Sequence, residues 1–272
     1  RTTIMFLLND EDEYANPYIW DIFDSGVNGQ DLLAIEVFPE GSSEYMNSTE
    51  RDATYEEVLH FMHGFGVQLA LPAMQNAIES AMLNAINNDV YNPLSDLPED
   101  DFDEEYFAMG LECYFGLWAH DPNGDGFCGD QEYAFITREA MAIGDSALFA
   151  IINGYFGEAW EYTAVLPQGF NSNFFMINQE GLDYTYRSQY LKNIETSGDQ
   201  SINFYGNDFS NQIVGTNGNN TFIGYGGDDI LIGGSGVDRA IYRGDYNYYA
   251  ILPPFVTSDS STQIIDLYPN RD

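Results

Sequence analysis

GNDFSNQIV (206–214), GTNGNNTFI (215–223), GYGGDDILI (224–232) and GGSGVDRAI (233–241) follow one another without a gap, four nine-residue blocks in one register. A flexible Gly-rich linker has no reason to keep such a register. In each block the eighth position is apolar: Ile213, Phe222, Leu231 and Ala240. The sixth is Asn211, Asn220, Asp229 and Asp238. Six residues make a turn whose glycines accept backbone angles that other residues avoid. Three more make a short strand, which turns one apolar side chain to the inside of a flattened coil. A solenoid of stacked coils is the fold this pattern predicts.

The segment resembles the RTX (hemolysin-type) repeat G-G-x-G-x-D-x-U-x, in which U is a large apolar residue. The resemblance implies that successive turns lie on opposite edges of a parallel β-roll. A Ca²⁺ then sits between turns two blocks apart, held by Asp carboxylates and backbone carbonyls. One ion is expected between 206–211 and 224–229, another between 215–220 and 233–238. The ligand-bearing residues of these turns are Asp208, Asn211, Asn217, Asn220, Asp229 and Asp238. Asn at the sixth position of the first two blocks lowers the local negative charge, so those turns offer weaker ligands or none. KNIETSGDQSINFYGN upstream reads as lead-in coils, and DRAIYRGDYNYYAIL downstream as a closing strand. Proteins with such repeats are exported by bacteria without an N-terminal signal peptide and fold outside the cell. The resemblance thus implies a secreted, extracellular or cell-surface protein.

Composition agrees with a cation-loaded chain. Of 272 residues, 8 are Lys or Arg and 44 are Asp or Glu, a formal charge of −36. Such a charge repels nucleic acid and anionic membranes, and it strains a compact fold unless something neutralises it. Bound Ca²⁺ does so through oxygen ligands; an acid surface that merely stays hydrated in a salty medium is the other reading. Aromatic residues make up 15% of the chain, which excludes intrinsic disorder. No apolar run reaches the ~18 residues of a membrane span. Arg1 opens the chain with no signal-like segment after it, so a mature or trimmed form, or export without such a signal, is expected.

Upstream the texture is mixed. Thr2–Leu8 and Leu32–Phe38 read as strands. Helices are expected over Glu56–Leu71, Pro72–Asn87, Asp103–Trp118 and Gln131–Ile143, with Pro72 suited to a first turn. The fold class is therefore α+β, with residues 1–178 as one domain, 179–252 as the roll and 253–272 as a tail.

Within that domain Asp121-Pro-Asn123-Gly-Asp125-Gly126-Phe127-Cys-Gly-Asp-Gln-Glu132 matches the EF-hand loop at every required position. Asp121, Asn123 and Asp125 would give side-chain oxygens, Phe127 its carbonyl, and Glu132 a closing carboxylate, between flanking helices. A solvated acidic turn is the plainer alternative. Cys113 and Cys128 bracket the loop's start, and either a disulfide or two buried thiols suits them.

Glu56-Glu57-Val58-Leu59-His60 resembles the zincin helix H-E-x-x-H, with Glu56 in place of the first His. The resemblance implies Glu57 as the general base, and Glu56 and His60 as metal ligands. Gluzincins take a third ligand from a Glu on a later helix, and Glu105-Tyr-Phe-Ala is similar to the start of that helix. Their next acidic residue is Met109 here. Tyr114-Phe115-Gly116 and Tyr133 to Glu139 are also similar to a bacterial zincin-like group. Three readings stand: a Zn²⁺ metallopeptidase with an altered site, a zincin-like scaffold that has lost catalysis, or a coincidental helix face. The expected function is thus a Ca²⁺-stabilised secreted or surface component, built for assembly with other protein chains, with an extracellular metallopeptidase as the alternative.

Overall fold

A computed structural model describes residues 3–8, 28–34, 37–47, 52–95, 97–129, 131–157, 162–243, 249–252 and 263–266. The expected tail and part of the closing strand lie outside the described residues, apart from a short antiparallel pair, Tyr249–Leu252 with Gln263–Asp266. The chain divides into two units: Arg1–Pro167 with Asn178–Leu191, and Gln168–Ile177 with Lys192–Asp272. Among the described residues no helix is long and apolar enough to cross a membrane.

The first unit is mixed helix and strand. β1 (Thr3–Leu8) pairs in parallel with β2 (Asn28–Leu33), from Thr3 opposite Asn28 to Leu8 opposite Leu33. The second strand thus begins and ends earlier than the apolar run 32–38 suggests. Pairing with β1 carries polar Asn28, Gln30 and Asp31 into it, and a distant partner of that kind leaves no local signal.

After α1 (Ser43–Asn47) comes α2 (Thr54–Met62), which runs through a π-helical turn at His63–Val67 into the short α3 (Gln68–Ala70). α4 (Pro72–Asn87) occupies the range read from sequence, with Pro72 in its first turn, where no N–H partner is needed. α5 (Phe102–Tyr114) stops four residues before the expected end. Gly116, at φ +69°, caps it: its N–H donates to the Cys113 carbonyl at 3.1 Å, and the Leu117 N–H to the Glu112 carbonyl at 3.0 Å. This is a Schellman arrangement. Any side chain at 116 would strike the Tyr186 carbonyl.

α6 (Arg138–Gly144) and α7 (Ser146–Ile152) complete the bundle. Ile78, Phe107, Met141, Leu148 and Ile152 are fully buried in one core with Leu111. The expected helix 131–143 keeps only its second half. Around Cys128 and Tyr133 the chain makes a turn closed by a single bridge instead. Cys128 and Tyr133 exchange backbone hydrogen bonds of 2.8 and 3.1 Å, and the Ala134 N–H donates to the Val90 carbonyl at 2.9 Å. β3 (Thr163–Val165) and α8 (Thr185–Ser188) also belong here, and Arg187 Nη2 of α8 donates to the Tyr45 carbonyl at 2.9 Å.

The second unit is a stack of parallel three-residue strands. On one side β4 (Asn173–Phe175), β6 (Asn203–Tyr205), β8 (Thr221–Ile223) and β10 (Arg239–Ala240) pair in that order. On the other β5 (Asn193–Glu195), β7 (Gln212–Val214) and β9 (Ile230–Ile232) do the same. The eighth positions meet as the period requires: Ile213 lies opposite Leu231, and Phe222 opposite Ala240. Upstream, Phe174 and Phe204 extend the column of Phe222, Ile194 extends that of Ile213, and all three are fully buried. Phe204 and Phe222 stack at 5.3 Å and 14°. The coil stack includes Asn173–Phe175, well upstream of residue 179, because that strand finds its partner in β6.

Candidate functional site

The turns of the roll are tied together every eighteen residues. The Asp228 N–H donates to Ser210 Oγ at 3.0 Å, the Val237 N–H to Asn219 Oδ1 at 2.8 Å, and Asn217 Nδ2 to Asp199 Oδ1 at 3.1 Å. The turn 206–211 therefore faces 224–229, and 215–220 faces 233–238. Asp208 lies against Gly226 across the first pair.

The sixth positions differ by charge. Asp229 Oδ1 accepts the Asn211 N–H at 2.9 Å, and Asp238 Oδ1 accepts the Asn220 N–H at 2.9 Å. Each carboxylate folds back over the glycine that opens its own block. A Cβ on Gly224 or Gly233 would overlap it, so only glycine fits there. Burial pushes the Asp229 carboxyl up to about 6; the Asn211 N–H opposes this and the Asp228 charge adds to it. These carboxylates set hard oxygen donors of the kind Ca²⁺ takes at the turns of the roll.

Asn211 and Asn220 spend their side chains within the protein. Asn220 Nδ2 donates to the Gly218 carbonyl at 2.9 Å, and to the Thr216 and Gly233 carbonyls at 3.2 Å. Asn211 Nδ2 donates to Asn207 Oδ1 at 2.9 Å and to the Lys192 carbonyl at 3.2 Å. In these coils an amide N–H group satisfies carbonyls of the kind that a cation would otherwise gather. Both residues are buried, so the bonds also meet the requirement that buried polar groups be paired.

In the first unit α2 and α5 bring Glu56, His60 and Glu105 together, with one ligand-type atom from each within 4.8 Å of the others. His60 Nε2 lies 3.8 Å from Glu105 Oε1. Glu56 and His60 share a helix face through their four-residue spacing. Burial pushes the Glu105 carboxyl up to about 8, and the charges of Glu56, Glu132, Glu57 and Glu112 push it further the same way. A bound divalent cation would relieve that crowding. Two carboxylates and one imidazole are a donor set that Zn²⁺ accepts, while the surplus of carboxylates favours harder ions. His63 is not part of this group: its Nε2 lies 2.8 Å from Gln75 Oε1, and Asp103 is 3.9 Å away.

The acidic loop 121–132 departs from an EF-hand. Asp121 Oδ1 accepts the Asp125 and Gly126 N–H groups at 3.0 and 3.1 Å, and Asp125 Oδ1 accepts the Phe127 N–H at 3.0 Å. Gly126 makes the expected turn at φ +79°. Among the described residues no helix adjoins the loop, because α5 has already ended at the Gly116 cap and the segment around Cys128 and Tyr133 is a turn closed by a bridge. Glu132 is buried, and its charge acts on Glu105 and Tyr91. Among the described residues Asp121, Asp125 and Glu132 do not converge within 4.8 Å. Asn123 is exposed. Cys113 and Cys128 are buried thiols, not joined in a disulfide; Cys113 Sγ lies 3.3 Å from the Thr137 carbonyl, and Cys128 Sγ lies 3.8 Å from Glu112 Oε2.

Sequence reading missed Glu112. It is buried, accepts the Trp118 indole N–H at 2.8 Å and adds to the charge around Glu105. Its seven-residue spacing from Glu105 on one helix face was the available signal.

Residues 205–240 match the RTX calcium-binding nonapeptide repeat, in four copies. No curated protein matches the chain, and no solved structure does.

Proposed function

We propose that this chain is an exported Ca²⁺-binding protein whose roll is completed by calcium outside the cell, and that it serves as a structural or surface component in assembly with other chains. The observation that carries the reading is the Asp229 carboxylate folded over Gly224 beneath the turn 206–211, with Asp238 over Gly233 repeating it one block later. Asp208, Asp229 and Asp238 would hold calcium with backbone carbonyls of the facing turns. The Asn211 and Asn220 coils, satisfied internally, would act as neutral spacers. A cation bound only by the folded roll stabilises it by mass action. The test is a calcium titration of the chelator-treated protein, followed by circular dichroism and calorimetry. Saturable binding with a rise in melting temperature supports the reading; an unchanged melting curve in excess chelator refutes it.

The convergence of Glu56, His60 and Glu105 favours a second reading, an extracellular metallopeptidase. These three would hold Zn²⁺, which would polarise a peptide carbonyl and acidify a water. Glu57 would take the proton from that water. Asp121, Asn123, Asp125, the Phe127 carbonyl and Glu132 would hold a further Ca²⁺ only if Glu132 turned outward from Glu105. Elemental analysis separates the readings: one zinc per chain, with peptide cleavage lost in Glu57→Gln, supports the enzyme. Calcium without a transition metal supports the structural component.

A further inference from the structure

A pocket of about 360 Å³ opens on a different face of α2 from the one that carries Glu56 and His60. Tyr55, Val58, Leu59 and Met62 line it from that helix, Leu111 from α5, and Glu40, Thr54, Tyr162 and Thr163 close one end. The volume lies within the ordinary range of small-ligand sites. The wall is divided by chemistry. Val58, Met62 and Leu111 make an apolar side, and Val58 and Met62 are exposed at the mouth.

The other end is a carboxylate set against two phenols. The Tyr55 hydroxyl is 3.2 Å from Glu40 Oε1 and 2.6 Å from the Tyr162 hydroxyl, which is itself 3.4 Å from the same Glu40 oxygen. Two hydroxyl protons suffice for one bond between the phenols and one to the carboxylate. The rings stand at 84° with centroids 6.0 Å apart.

Among the described residues Arg187 is the basic group that acts on Glu40, and its guanidinium lies over the Tyr45 ring at 3.9 Å and donates to the Tyr45 carbonyl. Burial pushes the Glu40 carboxyl up, the Tyr55 bond and Arg187 hold it down, and Asp52 adds to the rise. A half-buried carboxylate gains from a cation or from more donors.

We propose that this pocket binds a primary aliphatic ammonium group, carried by a free amine or by a lysine side chain, with Glu40 as its charge partner and Val58, Met62 and Leu111 along its methylene chain. The head group would donate to Glu40 and to a tyrosine oxygen. The tail would displace water from the apolar wall. This assignment is independent of the calcium roll and of the metal group on the neighbouring face.

Calorimetric or NMR titration of the full calcium-loaded chain tests it. The probes are n-hexylammonium, hexanol, hexanoate, methylammonium and an N-acetyl-lysine amide. Hexylammonium should bind at least about tenfold tighter than hexanol, hexanoate or methylammonium, a factor worth ~1.4 kcal/mol. Glu40→Gln should bring hexylammonium down to the level of hexanol. Val58→Trp, at an exposed position in the mouth, should block every probe while leaving the melting curve in place. The two variants are independent, so a folding defect in Glu40→Gln still leaves the pocket tested. Tighter binding of the lysine amide than of hexylammonium identifies a peptide side chain as the ligand; the reverse identifies a free amine. Methylammonium binding as well as hexylammonium would mean surface charge alone. That result, undiminished binding in Glu40→Gln, or no binding of any probe overturns the proposal.

Discussion

Asp229→Asn should change sign with calcium. In the calcium-free roll the Asp229 carboxyl is raised from 3.8 to about 6, chiefly by burial. For a fully buried group that shift would amount to ~3 kcal/mol at neutral pH. Asp229 is half exposed, and solvent screening cuts the figure to ~1 kcal/mol. Removing the charge should therefore raise calcium-free stability by ~1 kcal/mol, a few degrees in melting temperature. With calcium the balance reverses, because the variant loses a charged ligand. An ion present at about a hundred times its dissociation constant contributes ~2.7 kcal/mol, and most of that is at stake.

The pH dependence has a definite sign. A carboxyl raised in the folded state binds more protons there than in the unfolded chain over the window from 3.8 to about 6. Calcium-free stability must then fall as pH rises through that window. Asp229→Asn should flatten the slope, and saturating calcium should invert it. The assay is thermal unfolding of the full chain, followed by circular dichroism, in excess chelator and in saturating calcium across that range. If Asp229→Asn destabilises equally in both media, the carboxylate serves only as an acceptor for the Asn211 N–H. The cation reading of the turn then fails.

Other consequences are smaller in scope. Phe222→Ala removes a ring that stacks on Phe204 in a buried column, so it should cost ~3–5 kcal/mol in the calcium-loaded protein, read from the denaturant midpoint; a cost below ~1 kcal/mol would place Phe222 outside the core. Gly224→Ala should weaken calcium binding sharply, because its Cβ overlaps the Asp229 carboxylate, whereas Gly66→Ala, with nothing within 4 Å, should leave calorimetric calcium binding unchanged. Cys113 and Cys128 should resist alkylation in the native protein and label only on unfolding, because both are buried and burial pushes the Cys113 thiol far above its usual range. Rapid native labelling, detected by mass spectrometry, would contradict that. His60→Ala should lower transition-metal retention measured by elemental analysis and leave the calcium content of the roll unaltered; equal loss of both metals would refute the separation of the two sites.

How much the sequence discloses depends on the range over which each signal acts. The roll was legible because its rule is local: each nonapeptide carries its own glycines and inward residue, and stacking merely repeats the unit. Thus the period alone sets Ile213 opposite Leu231. α4 was legible for similar reasons, with Pro72 marking its start. The Glu56, His60 and Glu105 cluster of α2 and α5 was half legible. A four-residue spacing puts Glu56 and His60 on one face in any helix, but their meeting with Glu105 depends on how two helices pack, and only the motif resemblance pointed there.

Where the outcome depends on distant partners, the local pattern says less. Residues 121–132 satisfy the EF-hand pattern letter by letter, yet the conformation of the chain after the loop is decided at a distance. Tyr133 and Ala134 pair with the chain near Val90 and Tyr91, and a helix cannot form where that pairing holds the backbone. Glu132 is thereby buried, and its charge acts on Glu105. The same logic governs Asn211 and Asn220. A repeat pattern treats Asn and Asp as near equivalents, but an amide also donates hydrogen bonds, and buried among carbonyls Asn211 and Asn220 spend their donors on oxygens of the protein. Asn220→Asp is therefore informative. It replaces the two amide N–H groups, shared among three carbonyls and Asp238 Oδ1, with a carboxylate beside Asp238, which should destabilise the calcium-free roll by about the cost of buried acceptors left unpaired, ~1–3 kcal/mol. In calcium the new carboxylate should recruit the carbonyls it no longer satisfies and recover that loss. Calorimetry reads the outcome as one added Ca²⁺ per chain, and destabilisation that calcium does not repair would show that the coil is a neutral spacer by geometry as well as by charge.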